Sequence, residues 1–184
     1  MLSAKTVLVL GDSLSAAYGL QSSEGWVSLL KEQYAKKAPI VNVVNGSVSG
    51  DTSANGLARL PFLLKQHKPT TVVIALGAND ALRGQPMATL SANLQAMLKL
   101  AQAAGAKVAI LGIQMPPNFG PQYTAQMQAT FADFAKLNKL PLTEHMLAPL
   151  GTGLEQFQKD TIHPIAAAQP LILKHVLPTI EKAL

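Results

Sequence analysis

Short apolar runs alternate along the chain with longer stretches whose apolar residues recur at helical spacing. The runs are typical of buried parallel strands and span residues 6–10, 40–44, 70–76 and 107–113. The helical patterns cover residues 26–37, 54–68, 86–104 and 123–140, with a final one extending to the C-terminus. Residues 141–145 are a weaker candidate for a fifth strand. The alternation predicts an α/β fold, a three-layer α/β/α sandwich around a parallel five-stranded sheet of flavodoxin-like order.

Composition limits the number of domains. A chain of 184 residues can bury one sizeable core and is short for two ordinary domains. Apolar residues make up 48% and charged residues 14%, which excludes a disordered chain. No repeat or linker divides the sequence, so residues 1–184 are expected to form a single domain. The absence of cysteine excludes disulfides, thiolate metal sites and a cysteine nucleophile.

Charge and hydropathy exclude further classes of function. The net charge of +5 is spread over scattered lysines without an arginine stripe, so we expect no nucleic-acid partner. No apolar run approaches the length of a membrane span, and we expect no integral membrane segment. No separate apolar segment precedes the first strand, so we expect no signal peptide in this chain.

Three polar loops follow the first three predicted strands. They contain Gly11-Asp12-Ser13, Ser49-Gly50-Asp51 and Gly77-Ala78-Asn79-Asp80. The carboxyl ends of parallel strands meet at one edge of the sheet, where ligands bind in open α/β folds. Ser13, at an expected helix start, is either a nucleophile or a helix cap. Gly50 and Asn79 are either hydrogen-bond donors to an oxyanion or ordinary turn residues.

A serine nucleophile needs a base, and His163 is the best candidate among the four histidines. It lies three residues after Asp160, a spacing that lets one turn aim the imidazole outward while the carboxylate binds its other nitrogen. Alternatively, Asp160 caps the last helix and His163 is incidental. His67 and His175 fit structural roles better. His145 is a weak competitor for the role of base.

Four sequence blocks resemble the GDSL or SGNH hydrolases in order and separation, over essentially the whole chain. They are Gly-Asp-Ser-Leu-Ser, Ser-Gly-Asp-Thr-Ser, Gly-x-Asn-Asp and Asp-x-x-His-Pro. Residues 45–53 and 56–61 are most similar to the bacterial acyl-CoA thioesterase I, protease I, lysophospholipase and arylesterase branch. The resemblance implies the SGNH hydrolase fold. It also implies a serine hydrolase that cleaves fatty acyl, aryl or lysophospholipid esters and thioesters through an acyl-serine intermediate.

The resemblance also assigns roles to residues. Ser13 would be the nucleophile, Asp160 and His163 the base pair, and Gly50 and Asn79 the oxyanion donors together with the Ser13 N–H. No metal or other cofactor is implied. The acyl group would lie against apolar residues near these loops: Leu14, Leu82, Met115, Phe119 and Ile162.

Two departures from the family pattern could alter the pocket. Ala78 stands where the family usually has a second glycine, and Ile165 where many relatives have a polar residue. A short-chain or carbohydrate acetyl esterase would use the same blocks. A non-catalytic flavodoxin-like module would bind phosphate through Ser13 and Ser15 and leave the Asp-x-x-His-Pro block unexplained.

Expectations about partners and location follow from the same resemblance. The partner would be a small-molecule or lipid ester, and the chain is expected to be a monomer. Relatives are commonly exported, which implies a periplasmic or secreted protein, while the sequence itself leaves a cytoplasmic location open.

Overall fold

The computed structural model describes residues 5–115 and 117–184, and a five-stranded parallel sheet lies at its centre. The strands are β1 (Lys5–Gly11), β2 (Val41–Asn45), β3 (Thr71–Ala75), β4 (Lys107–Leu111) and β5 (Leu142–Thr143). Their order is β2-β1-β3-β4-β5, and every neighbouring pair is parallel. This flavodoxin-like order confirms the predicted fold class.

Helices cover both faces of the sheet. They are α1 (Trp26–Ala35), α2 (Ser53–His67), α3 (Ala78–Leu82), α4 (Met87–Ala103), α5 (Pro121–Asn138) and α6 (Gln169–Lys182). One layer pairs α1 with α6, and the other packs α2 against α4 and α4 against α5. The central strands are therefore covered on both sides, and residues 7–10 and 72–74 have no exposed surface. Among the described residues, no helix is long and apolar enough to cross a membrane.

The strand order places a topological switch point between β1 and β3. The chain leaves β1 towards β2 on one side and later returns to pair β3 on the other side. Loops after β1 and β3 consequently diverge at the carboxyl edge and leave a crevice, the usual ligand site of such sheets. Ser13 follows β1 and Asn79 follows β3, so both lie at this edge.

The expected helix start at Ser13 is wrong, whereas the helix predicted from residue 26 is confirmed. Residues 13–19 form successive turns, and the first α-helix begins at Trp26. The carbonyl of Asp12 accepts the N–H groups of Ser15 and Ala16 at 3.1 and 2.9 Å, which begins a turn. Ala17 then adopts a φ of 59°, which a right-handed helix cannot contain.

Two shorter elements also differ from the prediction. Helix α3 was not expected, because its five residues are too few to show helical periodicity. It starts after Gly77, whose φ of 130° lets the chain turn sharply out of β3. The fifth strand exists but is confined to two residues at the edge of the sheet, Leu142–Thr143.

A lysine directly follows the last residue of three helices, which gives a matched test of backbone strain. Lys68 follows α2 with φ 44° and Lys139 follows α5 with φ 53°, whereas Lys36 follows α1 with φ −89°. The left-handed conformation costs a non-glycine residue roughly 1–2 kcal/mol. We expect Lys68→Gly and Lys139→Gly to raise the free energy of unfolding by about 0.5–1 kcal/mol in urea titrations. Lys36→Gly, without strain to relieve, should lower it; equal shifts in all three variants would contradict this account.

Candidate active site

Three side chains from two distant parts of the chain form one line of hydrogen bonds. Nε2 of His163 lies 2.8 Å from Oγ of Ser13, and Nδ1 lies 2.7 Å from Oδ2 of Asp160. Ser13 follows the inner strand β1, while the other two residues lie in the loop that precedes α6. The structure therefore brings together the serine, histidine and aspartate that the sequence blocks suggested. This arrangement can move a proton from a hydroxyl to an imidazole.

The turn from Asp160 to His163 fixes the carboxylate. Its Oδ1 accepts the backbone N–H groups of Ile162 and His163 at 2.9 and 3.0 Å, which leaves Oδ2 for the imidazole. The N–H of His163, then that of Ile162, then the His163 side chain lower the pKa of Asp160 to about 2. The carboxylate, with 37% of its side chain exposed to water, therefore stays ionised near neutral pH. An anion at Nδ1 favours the tautomer in which Nδ1 donates and Nε2 accepts from the serine hydroxyl.

Hydrogen-bond donors from three loops face the same edge of the sheet. Gly50 adopts a φ of 85°, and the space that a side chain would occupy there is open. One proton of the Asn79 amide is donated to the Asp51 carbonyl at 2.9 Å, which leaves the other available. Within the described part of the chain, the backbone N–H groups of Ser13 and Gly50 have no hydrogen-bond acceptor. Three donors at this edge of the sheet are thus free of acceptors within the described residues.

Buried polar contacts join the Gly50 loop to the Asn79 loop. Asp80 is fully buried; its Oδ2 accepts the N–H of Ser53 at 2.8 Å, and its Oδ1 accepts the hydroxyl of the same serine. Asn93 of α4 donates to that hydroxyl oxygen at 2.8 Å. Sequence analysis missed the role of Ser53, although it closes the Ser-Gly-Asp-Thr-Ser block. These contacts fix the start of α2 relative to α3.

Two arginines hold the Gly50 loop from outside. Arg59 of α2 donates through Nε and Nη2 to one carboxylate oxygen of Asp51. Arg83, just after α3, donates to the Gly50 carbonyl at 3.1 Å. The Gly50 carbonyl and the Asp51 side chain are therefore engaged, while the Gly50 N–H remains available.

His145, the weaker candidate for the base, makes contacts that are typical of a structural residue. Nδ1 of His145 accepts the backbone N–H of Gln114 at 3.1 Å, and the His145 carbonyl accepts from Nε2 of His175 at the same distance. Burial, with a smaller effect of His175, lowers the pKa of His145 to about 4. His67 lies in the last turn of α2. Of the histidines that the structure describes, only His163 contacts a serine hydroxyl.

The five apolar candidates occupy different environments. Leu14 and Met115 are buried in the core, and Phe119 is partly buried against it. Leu82 is 46% exposed and follows Asn79 by three residues, and Ile162 is 49% exposed and precedes His163. The last two are therefore the candidates that are most open to solvent. Contact of all five with an acyl group stays a prediction.

Asp12 is a buried carboxyl group beside the serine. Its Oδ1 accepts the N–H of Leu14 at 3.0 Å, and only 1% of its surface is exposed. Burial raises the pKa of Asp12 to about 6, against the opposing effects of the Leu14 hydrogen bond and of His163. In the sequence, Asp12 was recognised only as part of the Gly-Asp-Ser block. Its burial was not predicted, because the residues around it in the sequence do not show whether its side chain is buried. Within residues 5–115 and 117–184, no group of three or more His, Asp or Glu side chains is placed to hold a metal ion.

Comparison with known proteins places this arrangement in a family context. Residues 9–169 match the model of the GDSL-like lipase/acylhydrolase family. The chain is 49% identical over 181 residues to Esterase TesA of Pseudomonas aeruginosa, covering 98% of this chain and 90% of that protein. It is 42% identical over 170 residues to Thioesterase 1/protease 1/lysophospholipase L1 of Escherichia coli, covering 92% and 80% respectively.

Solved structures agree with the sequence matches. A crystal structure of TesA superposes with a TM-score of 0.94 at 49% identity, covering 98% of this chain and 100% of that one. The psychrotrophic esterase EstA from Pseudoalteromonas sp., inhibited by monoethylphosphonate, superposes with a TM-score of 0.89 at 43% identity, covering 97% of each chain. These two proteins are therefore similar to this chain in sequence as well as in fold.

The raised pKa of Asp12 predicts a pH-dependent effect on stability. Because the pKa in the folded protein is about 6 and the ordinary value is 3.8, the folded protein binds more protons between these values. Stability from this group is complete below about pH 4 and is lost as the pH rises through about 6. Asp12→Asn keeps an oxygen acceptor and removes the charge, so its melting temperature relative to the parent should rise from pH 4 to pH 7.

Thermal unfolding across this pH range checks the prediction. Asp133→Asn makes the same chemical change at an exposed position of α5 and serves as the reference. A difference between Asp12→Asn and the parent that is constant with pH would refute the assigned burial effect.

Proposed function

The chain belongs to the GDSL-like lipase/acylhydrolase family and is an ester hydrolase, and we propose that Ser13 forms its acyl-enzyme intermediate. The main support is the unbroken contact from Asp160 through His163 to the Ser13 hydroxyl. A phosphate-binding serine would not need an oriented imidazole at 2.8 Å. The same contact makes a non-catalytic flavodoxin-like module a poor explanation of this edge of the sheet.

The proposed reaction has two half-reactions. Nε2 of His163 takes the proton of Ser13 while Oγ attacks the acyl carbon, and Asp160 stabilises the imidazolium that forms. The imidazolium then protonates the alcohol or thiol as its bond to the acyl carbon breaks. Water, deprotonated by the same nitrogen, then attacks the acyl-serine. The imidazolium returns this proton to Oγ of Ser13 as the bond between Oγ and the acyl carbon breaks, which releases the carboxylic acid and free Ser13. Ser13, His163 and Asp160, which act in both half-reactions, all belong to this chain.

The oxyanion of each tetrahedral intermediate would be bound by the N–H groups of Ser13 and Gly50 and by the amide of Asn79. Two observations support this assignment. The backbone N–H groups of Ser13 and Gly50 and the second proton of the Asn79 amide have no acceptor among the residues described. The loops that carry these donors are held by buried contacts. Donors held in place before charge develops need no reorganisation during the reaction. The loop contacts therefore matter for rate as well as for stability.

Substrate class, assembly and location are also proposals. The exposed apolar side chains of Leu82 and Ile162 suit an aliphatic or aryl acyl group, as do the names arylesterase and lysophospholipase among the relatives. Residues 1–184 would act as one domain and as a monomer, since all of the reacting groups come from a single chain. The family resemblance supports a periplasmic or secreted location.

Replacing the nucleophile tests the proposal directly. We expect Ser13→Ala to reduce hydrolysis of p-nitrophenyl esters by at least about 10³-fold, since the covalent step is lost. Ser15→Ala is the matched control, because the buried Ser15 hydroxyl has no hydrogen-bond partner among the described residues. Equal hydrolysis by the parent and Ser13→Ala would exclude the acyl-serine mechanism.

The same assay, run from acetyl to palmitoyl esters and on acetylated sugars, distinguishes the substrate classes. A maximum at medium or long acyl chains supports the fatty acyl interpretation. A preference for acetyl groups on sugars would replace it with the carbohydrate esterase alternative.

Removing one oxyanion donor should slow the chemical step. We expect Asn79→Ala to lower kcat by roughly 10²–10³-fold with little change in KM, because its amide acts mainly on the charge of the transition state. Asn42→Ala, on an exposed position of β2, controls for the loss of an amide elsewhere. A change confined to KM would instead assign Asn79 to substrate binding.

A further inference from the structure

The loop that contains Asp160 and His163 is a narrow hairpin. Phe157 and Pro164 pair as an antiparallel bridge, and the N–H of Gln158 donates to the His163 carbonyl at 2.7 Å. The N–H of Ile165 donates to the Gln156 carbonyl at 2.9 Å. We call residues 156–165 the His163 hairpin. These bonds shape the hairpin, but none of them fixes its position relative to Ser13, which lies 150 residues earlier in the chain.

The side chain of Gln158 makes that connection. Its Nε2 donates to the Pro164 carbonyl at 3.1 Å, within the hairpin, and to the Tyr18 carbonyl at 2.8 Å, in the loop that follows Ser13. The Tyr18 N–H in turn donates to the Ser13 carbonyl at 3.3 Å. Both protons of the carboxamide are therefore used, one on each side of the gap between the two segments.

Gly19 allows this close approach. A Cβ at this position would lie 2.2 Å from Oε1 of Gln158, and its φ is 73°. Any side chain here would force the Gln158 carboxamide to move, and a φ in this range favours glycine. The Gln158 carboxamide is thus in direct contact with the loop between β1 and α1.

Tyr18 adds a second contact across the same gap. Its ring centroid lies 4.4 Å from that of the His163 imidazole, with the planes inclined by 38°. The tyrosine is 51% exposed, so its ring is placed against the imidazole without being buried in the core. A ring at this distance restricts rotation of the imidazole.

We propose that Gln158 and Tyr18 form a clamp that holds the His163 imidazole in line with Ser13. This proposal rests on the proposed acyl-serine mechanism and names positioning residues for it. Gln158 sets the distance between the His163 hairpin and the β1–α1 loop, and Tyr18 sets the orientation of the ring. Neither touches the reacting atoms, so their effect is on the fraction of molecules in which Nε2 meets Oγ.

The expected kinetic signature follows from this role. A displacement of about 1 Å in a catalytic group can cost on the order of 10² in rate, whereas substrate binding does not require the Ser13–His163 hydrogen bond. Loss of the clamp should therefore lower kcat and leave KM nearly unchanged. The Tyr18 carbonyl, which Gln158 binds across the gap, is exposed and can bind water in its absence, so folding should be affected less than turnover.

The test uses matched substitutions in the same hairpin. Gln158→Met keeps the length of the side chain and removes both donors, and we expect a kcat decrease of about 10–100-fold. Gln156→Met makes the identical change two residues earlier, where Oε1 is buried without a hydrogen-bond partner, and should keep the parent kcat. Tyr18→Ala should lower kcat, and Tyr18→Phe, which keeps the ring, should restore it.

The double variant separates a clamp from two independent effects. Because Gln158 and Tyr18 act on one imidazole, Gln158→Met with Tyr18→Ala should lower kcat by clearly less than the product of the single effects. The clamp would be overturned if the double variant lowered kcat by the full product of the two single effects. It would also be overturned if Gln158→Met kept the kcat of the parent. If Gln158→Met fails to fold, Tyr18→Ala against Tyr18→Phe decides, since that side chain is half exposed.

Reaction of Ser13 with a p-nitrophenyl phosphonate provides a readout independent of ester turnover. The rate of p-nitrophenol release should fall in the clamp variants in proportion to kcat. Ser13→Ala run in parallel keeps the two proposals apart. Loss of hydrolysis in Ser13→Ala together with parent-like Gln158 and Tyr18 variants would sustain the acyl-serine mechanism and reject the clamp.

Discussion

The 2.8 Å contact between Ser13 and His163 is the constraint on which the active site depends, and it joins side chains 150 residues apart. No local interaction can set such a distance. On one side, the serine follows β1, an inner strand that pairs with both β2 and β3 and whose residues 7–10 have no exposed surface. On the other side, His163 precedes α6, which packs against α1. The distance is therefore a property of the whole sandwich.

Trp26 connects the two sides inside the core. Its backbone N–H donates to Oε1 of Gln169 at the start of α6, and its indole N–H donates to the Leu14 carbonyl beside the serine. Both bonds are buried, where an unpaired partner would be costly, so they fix the base of each loop. At the surface, Gln158 and Tyr18 join the outer ends of the same two loops. Together these contacts fix the two loops both in the core and at the surface.

The sequence predicted most of the fold because strands and helices differ in period over long segments. The β1, β3 and β4 runs and the α4 and α5 stripes are long enough to be recognised without tertiary contacts. The helix expected at Ser13 failed because Ala17 takes a left-handed conformation, which no periodicity encodes. Helix α3 escaped notice because five residues show no repeat. Likewise, Gln158 gave no signal, since its partner is a backbone carbonyl 140 residues away.

The two aspartates near the serine show how environment divides their roles. Asp12 and Asp160 have the same side chain, yet burial raises the pKa of the first to about 6 and backbone hydrogen bonds lower that of the second to about 2. A partner for an imidazolium must stay charged, and the exposed Asp160 meets this requirement because two N–H groups stabilise its anion. Asp12 instead fixes the turn through the Leu14 N–H, a contact that a neutral carboxyl group can also accept. The charge needed for chemistry therefore comes from the carboxyl group that is cheaper to ionise, and the buried one supplies geometry.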